Sequence, residues 1–244
     1  MKLAEAIILA AGMGTRLRGL VDDRPKGLIA IDGQPLVGRS IALMRGAGIE
    51  RITIVAGYRS DDYQQFAAGA ADLRILVNDA FASTGSMASL AIALRATPDA
   101  DVLIVESDIV YEARALSVIA AAPANATLIS GPTGAGDEVW VHAPGGCLEA
   151  MSKHAAELVS VDGELVGITR LSADASASIV DAFDRFVAAH GNGRMDYETG
   201  GLVEIAAAHP IATPFVADLC WGEIDDDRHY ARIVNQVWPA LTAR

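Results

Sequence analysis

I-I-L-A-A-G-M-G-T-R-L-R-G-L-V-D-D-R-P-K, Ile7 to Lys26, is the stretch whose reading decides the fold. The apolar run Ala6 to Ala10 reads as a strand buried in a parallel sheet. Gly12 and Gly14 then let the backbone turn tightly and bring its N–H groups close to a phosphate. Arg16 can fork onto phosphate oxygens and Lys26 supplies a point charge, while the loop offers no nucleophile of its own. These are the requirements of a nucleoside triphosphate site.

Two other glycine loops fail at definite positions. The dinucleotide fingerprint wants a third glycine where Leu17 stands, and a Walker loop would close on Gly-Lys-Ser/Thr, whereas Lys26 is followed by Gly27 and lies far beyond Gly14.

Outward from this stretch, apolar runs alternate with helical patterns. Expected strands are Ala6 to Ala10, Ile52 to Ala56, Leu73 to Val77 and Val102 to Glu106; expected helices are Pro35 to Gly46, Asp61 to Ala68, Ser86 to Arg95 and Ala113 to Ala121. Strands rich in Val and Ile, spaced this way, give right-handed βαβ units and an α/β fold whose mostly parallel sheet is flanked by helices. Gly48 has a helix C-cap placement, and Ser60 or Asp61 can cap the next helix. After Pro123 the runs shorten: Ala126 to Ser130, Glu138 to His142, Gly146 to Ser152 and Glu164 to Arg170 suggest antiparallel additions forming a small lid or annex. Helices are expected over Ser176 to Ala189, Gly200 to Ala208 and Asp225 to Val237, with an apolar strand over Phe215 to Cys220.

With 244 residues the chain can bury one large core, and no linker separates two domains, so it reads as one domain: 1–123 for the nucleotide, 124–244 for the acceptor and C-terminal part. The net charge of −12 argues against a nucleic-acid partner. No stretch approaches the roughly 20 apolar residues of a membrane helix, and Glu5 breaks the imitation of a signal peptide at the N-terminus, so a soluble, cytoplasmic protein without a membrane partner is expected. Cys147 and Cys220 have neither disulfide nor zinc spacing. Self-association to a homo-oligomer is left open.

An acidic molecule must hold a small anion with local cations and a metal. Ligands of open parallel sheets gather beyond the carboxyl ends of the strands, and Asp108, in V-E-S-D-I-V, stands there; its hard oxygen suits Mg²⁺. Trp221-Gly222-Glu223-Ile224-Asp225 follows the expected late strand and would return Asp225 to the same edge as a second metal ligand.

The string L-A-A-G-x-G-T-R-L followed by P-K, with a strand-end Asp and a late W-x-E-I-D, covers nearly the whole chain. It resembles the nucleotidyltransferases of GT-A-like fold, in particular the compact cytidylyltransferases acting on phosphocholine or 2-aminoethylphosphonate. The resemblance implies that Leu9, Ala10, Ala11, Gly12, Gly14 and Thr15 cradle CTP, with Arg16 and Lys26 on its triphosphate and Asp108 and Asp225 on Mg²⁺. It implies that Asn78, Ser83, Gly85, Ser86 and Ser89 face the base, although Ser and Thr there equally suit a helix N-cap. Lys153 would meet the acceptor's phosphoryl oxygens. The chain departs from the family at His229, where an acid is usual, with Asp226 and Asp227 as substitute capping acids, and at Thr199, which follows Glu198.

The implied reaction is in-line attack of the acceptor's ionised phosphate or phosphonate oxygen on the α-phosphorus of CTP, with pyrophosphate leaving and no general base. Aromatic faces hold a quaternary ammonium, and carboxylates hold a primary one. Trp140, Tyr197 and Trp221 offer the first; Asp137, Glu138, Asp196 and Glu198 offer the second. The nearest alternative is a sugar-1-phosphate nucleotidylyltransferase with another NTP. A non-catalytic nucleotide-binding regulatory module would be expected to lack one of Arg16, Lys26, Asp108 and Asp225, and all are present.

Overall fold

A computed structural model describes residues 3–17 and 24–243. The quoted apolar run forms β1 (Glu5–Ala10), after which the small hairpin β2 (Ala30–Ile31) and β3 (Gln34–Pro35) leads into α1 (Leu36–Gly46). Strand–helix units follow: β4 (Arg51–Ala56), α2 (Ser60–Ala67), β5 (Leu73–Val77), α3 (Ser86–Ala96) and β6 (Val102–Glu106). β1 lies between β4 and β6, parallel to both, and β5 extends the sheet beyond β4. The chain thus steps from β1 outward to β5 and then crosses to the far side of β1. That reversal puts a switch point between β1 and β6, the crevice where open sheets take ligands.

The remainder comprises β7 (Ile109–Tyr111), α4 (Arg114–Ala121), β8 (Ala126–Ser130), β9 (Trp140–His142), β10 (Ala150–Ser152), β11 (Gly163–Leu171) and α5 (Ala173–His190). Then come α6 (Val203–Ile205), β12 (Phe215–Val216), β13 (Trp221–Glu223), α7 (Asp227–Arg232) and α8 (Trp238–Thr242). The expected antiparallel additions are present: β11 pairs antiparallel with β6, β8 and β9. It changes partners at Gly167, whose φ of +79° a side chain would strain, and where a Cβ would lie 2.8 Å from Glu106 Oε2. The missing side chain is what lets β11 run against an acid at the crevice.

Apolar positions explain the layers. Met87 and Leu90 of α3 and Ile179 of α5 pack on one face of the sheet with Ile7 and Ile104. Val37, Ile41 and Met44 of α1, Tyr63 of α2 and Leu116 of α4 cover the other with Ile8 and Ile54. A further cluster joins Leu17, Leu36 and Val110 to Ile224, Ile233 and Trp238, seating the C-terminal helices beneath the glycine bend.

Several boundaries differ from the sequence expectation. α2 begins at Ser60 behind a left-handed Arg59, so neither Ser60 nor Asp61 caps it; both stand in its first turn. The expected helix from Gly200 starts earlier, as a wide π-helical turn over Tyr197–Leu202, because the Asp196 carbonyl accepts N–H groups from Gly200 and Gly201. The expected strand Phe215 to Cys220 divides: β12 adds parallel to β8, the chain turns with Leu219 N–H on Val216 O, and β13 pairs elsewhere. The last helix begins at Asp227, because Asp226 caps it, its Oδ1 accepting N–H groups from Arg228 and His229. The strand expected from Gly146 is reduced to β10, since Gly145 and Gly146 take left-handed turns.

Candidate active site

Two short strands bring the distant acids together. β7 follows Asp108 directly and pairs antiparallel with β13, Ile109 opposite Glu223, and the Ile224 N–H donates to the Asp108 carbonyl at 3.0 Å. Asp225 therefore emerges beside Asp108. Lys26 donates to Asp108 Oδ2 at 3.1 Å and to Asp225 Oδ1, and Arg16 donates to Asp225 Oδ2 at 2.7 Å. Burial alone would lower the Lys26 pKa, but Asp108 and Asp225 outweigh it and raise it above the ordinary lysine value. Asp225 is likewise pushed up by burial and pulled down further by Lys26 and Arg16, ending below the ordinary carboxylate value.

A cavity of about 390 Å³ opens over this group, between the ends of β1 and β6. Leu9, Ala10, Ala11, Gly12, Gly14, Arg16, Lys26 and Asp108 line one side, and Asn78, Gly85, Ser86, Ser89, Tyr197 and Glu198 the other. Gly14, at φ +56°, takes the left-handed turn expected of the bend, against the Lys26 side chain. The backbone of Thr15 continues that bend, and its side chain lies outside the described part. Asn78 is locked: its Nδ2 donates to Thr84 Oγ1 and Ser89 Oγ, and its Oδ1 accepts the Ala80 N–H. Ser86 Oγ accepts the Tyr197 N–H at 2.9 Å and donates to Glu198 at 3.1 Å, tying the start of α3 to the π-helical turn. No side chain caps α3. Ser83 is not among the residues lining the cavity, and its hydroxyl donates to the Ala80 carbonyl.

A second, smaller cavity shares Glu106 and Glu198 with the first; Thr133, Asp137, Glu138, Lys153, Glu164, Trp221, Glu223 and Asp225 also line it. Trp221 is buried and donates its indole N–H to Ser130 Oγ at 2.8 Å, and buried Tyr197 donates its hydroxyl to Glu106 Oε1 at 2.6 Å. Trp140 is half-buried in β9 and lines neither cavity.

Sequence reasoning passed over Glu106 and Glu223 as site residues. Both end a strand two positions before an expected metal aspartate, in Glu106-Ser107-Asp108 and Glu223-Ile224-Asp225, so each pair of acids straddles the turn where its strand stops. Burial first, then Glu198 and Asp108, pushes the Glu106 carboxyl up to about 8, and burial with Asp108 and Glu106 raises Glu223 well above the ordinary range. Oxygens of Glu106, Asp108 and Glu223 lie within 4.8 Å of one another, as do those of Asp137, Glu223 and Asp225. These two sets of hard oxygens, which share Glu223, could hold a divalent metal.

Residues 6–168 match the MobA-like NTP transferase domain. The chain belongs to that nucleotidyltransferase family. It is similar to the CMP-5'-(3-aminopropyl)phosphonate synthase of Streptomyces rubellomurinus, 30% identical over 91% of this chain and 37% of that protein. It is also similar to the choline-phosphate cytidylyltransferase of Streptococcus pneumoniae, 38% identical over 35% of this chain and 37% of that one. The matched stretch thus spans little more than a third of the length of either relative. The inositol-1-phosphate CTP transferase structure from T. maritima superposes with a TM-score of 0.82 over 99% of this chain and 96% of that one, at 17% identity, a likeness of fold alone. Among the described residues, no helix is long and apolar enough to cross a membrane.

Proposed function

We propose that this chain transfers CMP from CTP to a small phosphonate or phosphorylated acceptor of the 2-aminoethylphosphonate or phosphocholine kind, releasing pyrophosphate. The observation that carries the reading is the convergence of Arg16, Lys26, Asp108 and Asp225 beside the glycine bend, at the switch point of the sheet. Such a site needs only to place two anions and neutralise them. The 1–123 part would hold the nucleotide and the 124–244 part the acceptor. In the step itself an acceptor oxygen forms the new bond to the α-phosphorus, and the bond to the bridging oxygen of the β-phosphate breaks, its electron pair leaving on pyrophosphate.

Arg16, largely exposed, exchanges Asp225 for β- and γ-phosphate oxygens, and Lys26 turns its ammonium toward the α-phosphate. Asp108 and Asp225, which fall in two neighbouring carboxylate sets sharing Glu223, would hold Mg²⁺. When bound, Mg²⁺ supplies charge neutralisation at the phosphates. Lys153, exposed at the rim of the second cavity, would meet the acceptor's phosphonate.

Of the two acceptors, the second cavity favours a primary ammonium. Trp221, the aromatic residue in its wall, is buried and spends its indole N–H on Ser130, whereas Asp137, Glu138 and Glu164 offer carboxyl oxygens. The similarity to an aminopropylphosphonate-activating protein supports the same choice. A grid of the four NTPs against 2-aminoethylphosphonate, 3-aminopropylphosphonate, phosphocholine and sugar 1-phosphates, read as Mg²⁺-dependent pyrophosphate release, tests it. CTP with an aminoalkylphosphonate should give the largest kcat/KM. Release only with sugar phosphates would replace the reading, and release in no well would favour a regulatory module.

A further inference from the structure

We propose that His229 is a positioning residue for the acceptor end of the site, fastening the 131–139 loop to the segment that carries Asp225. The inference rests on the transfer reading above for its kinetic consequence, but not for the fastening itself. His229 is 3% exposed, on the first turn of α7. Its Nε2 lies 3.1 Å from the Ala135 carbonyl, which can only accept, so Nε2 carries the hydrogen. Nδ1 is then the acceptor, and the Asp225 backbone N–H donates to it at 3.3 Å. One ring therefore bridges the metal-facing aspartate and the loop over the second cavity.

The loop needs such a tie. Gly134 and Gly136 hold positive φ with open space around them, and within the loop only short-range bonds, Ala135 N–H to Thr133 Oγ1 at 3.3 Å and Gly136 N–H to Glu138 Oε1 at 3.1 Å, are seen among the described residues. Thr133 anchors one end on Glu164, through its N–H at 2.5 Å and its hydroxyl at 2.8 Å. His229 anchors the middle, between Thr133 and Asp137, both of which line the second cavity; Asp137 Oδ2 lies 3.3 Å from the ring. A carboxylate at 229 would have no hydrogen for Ala135 and would face Asp137 with like charge. A glutamine could reproduce both bonds, its amide donating to Ala135 and its carbonyl accepting from Asp225.

Two variants and two readouts test the assignment: His229→Leu and His229→Gln, in the transfer assay and in backbone hydrogen exchange. H229L should raise the KM for 2-aminoethylphosphonate by about tenfold or more, the loss of one buried hydrogen-bonding group, with the KM for CTP within about twofold of wild type. H229Q should recover to within about threefold. Exchange across 131–139 should quicken in H229L and return toward wild type in H229Q, whether or not any acceptor turns over, so a failed transfer reading leaves the fastening tested. If H229L does not fold, wild-type protection of 131–139 in H229Q supports the proposal and its loss overturns it. Equal rises in both KM values, or unchanged exchange in H229L, would also overturn it.

Discussion

Arg16 donates to Asp225 at 2.7 Å although 209 positions separate them, which joins the first glycine bend of the chain to the turn after its last strand. With Lys26 between Asp108 and Asp225, two cations and two carboxylates balance one another before any ligand arrives. Changing Asp225 or Asp108 to Asn keeps shape and removes one charge. Each variant should lose about 100-fold or more in kcat for pyrophosphate release, the usual cost of removing a preorganised charge from such a site. The folded structure should persist by circular dichroism. Activity within about tenfold of wild type in both would mean that the two aspartates do not serve the reaction.

Lys26→Met leaves the opposite imbalance, two carboxylates facing each other without their ammonium. Removing one partner of a buried pair costs about 3–5 kcal/mol, and because these side chains keep 11–17% exposure, about 2–3 kcal/mol is expected in urea unfolding. A divalent ion would substitute for the missing charge. Millimolar Mg²⁺ should therefore raise the Tm of K26M by more than it raises that of wild type. An equal shift in both proteins would argue against metal binding at these acids.

Gly85 stands where α3 meets the segment leading into Tyr197, and its N–H donates to the Gly193 carbonyl at 2.9 Å. A Cβ there would lie 2.3 Å from the Met195 carbonyl oxygen, a backbone atom that cannot swing aside. Gly85→Ala should cost about 1–3 kcal/mol of stability through overpacking. Because Met195 adjoins Tyr197 and Glu198 in the cavity wall, the KM for nucleotide should rise as well. Gly46→Ala, in α1 with open space around it, is the matched control and should raise stability by up to about 1 kcal/mol and leave the KM unchanged.

Much of the fold is legible in the sequence for a physical reason: β1, β4 and β6 are largely apolar runs buried on both faces, β5 is a partly buried run at the sheet edge, and α3 and α5 carry helical periodicity. Asp108 is legible because it ends such a run. The meeting of Asp108 with Asp225 is also anticipated, but by another route from the one the chain takes. A single strand over Phe215 to Cys220 was to deliver Asp225, whereas β13 delivers it by pairing with β7, three residues too short to stand out as a run. Glu106 and Glu223 were readable from the repeated Glu-x-Asp spacing. Asp137 is already among the carboxylates that the sequence offers to an ammonium, but Glu164 is not, because its strand changes partners at a left-handed Gly167, which leaves no periodic trace. Aromatic content alone misleads at Trp140, which the pairing of β9 holds outside both cavities.

Glu164 makes stability depend on pH in a direction that can be worked out. It is 3% exposed, and burial pushes its carboxyl up to about 7, outweighing the two bonds from Thr133 that pull it down. In the unfolded chain the group returns to its ordinary 4.5. Below that value both states hold the proton, and the full contribution to stability is present. Between about pH 4.5 and 7 the unfolded state binds fewer protons than the folded one, so stability falls as pH rises, by up to about 3 kcal/mol, and the loss is complete above the folded value. Other raised acids add their own slopes, so Glu164→Gln is the comparison that isolates this one. The difference in unfolding free energy between wild type and E164Q should shift across that window and level off above it. A difference that stays constant from pH 4 to 8 would show that Glu164 does not hold its proton in the fold. An ammonium group bound in the second cavity would favour the carboxylate, so 2-aminoethylphosphonate should stabilise wild type more at pH 8 than at pH 5, and E164Q about equally at both.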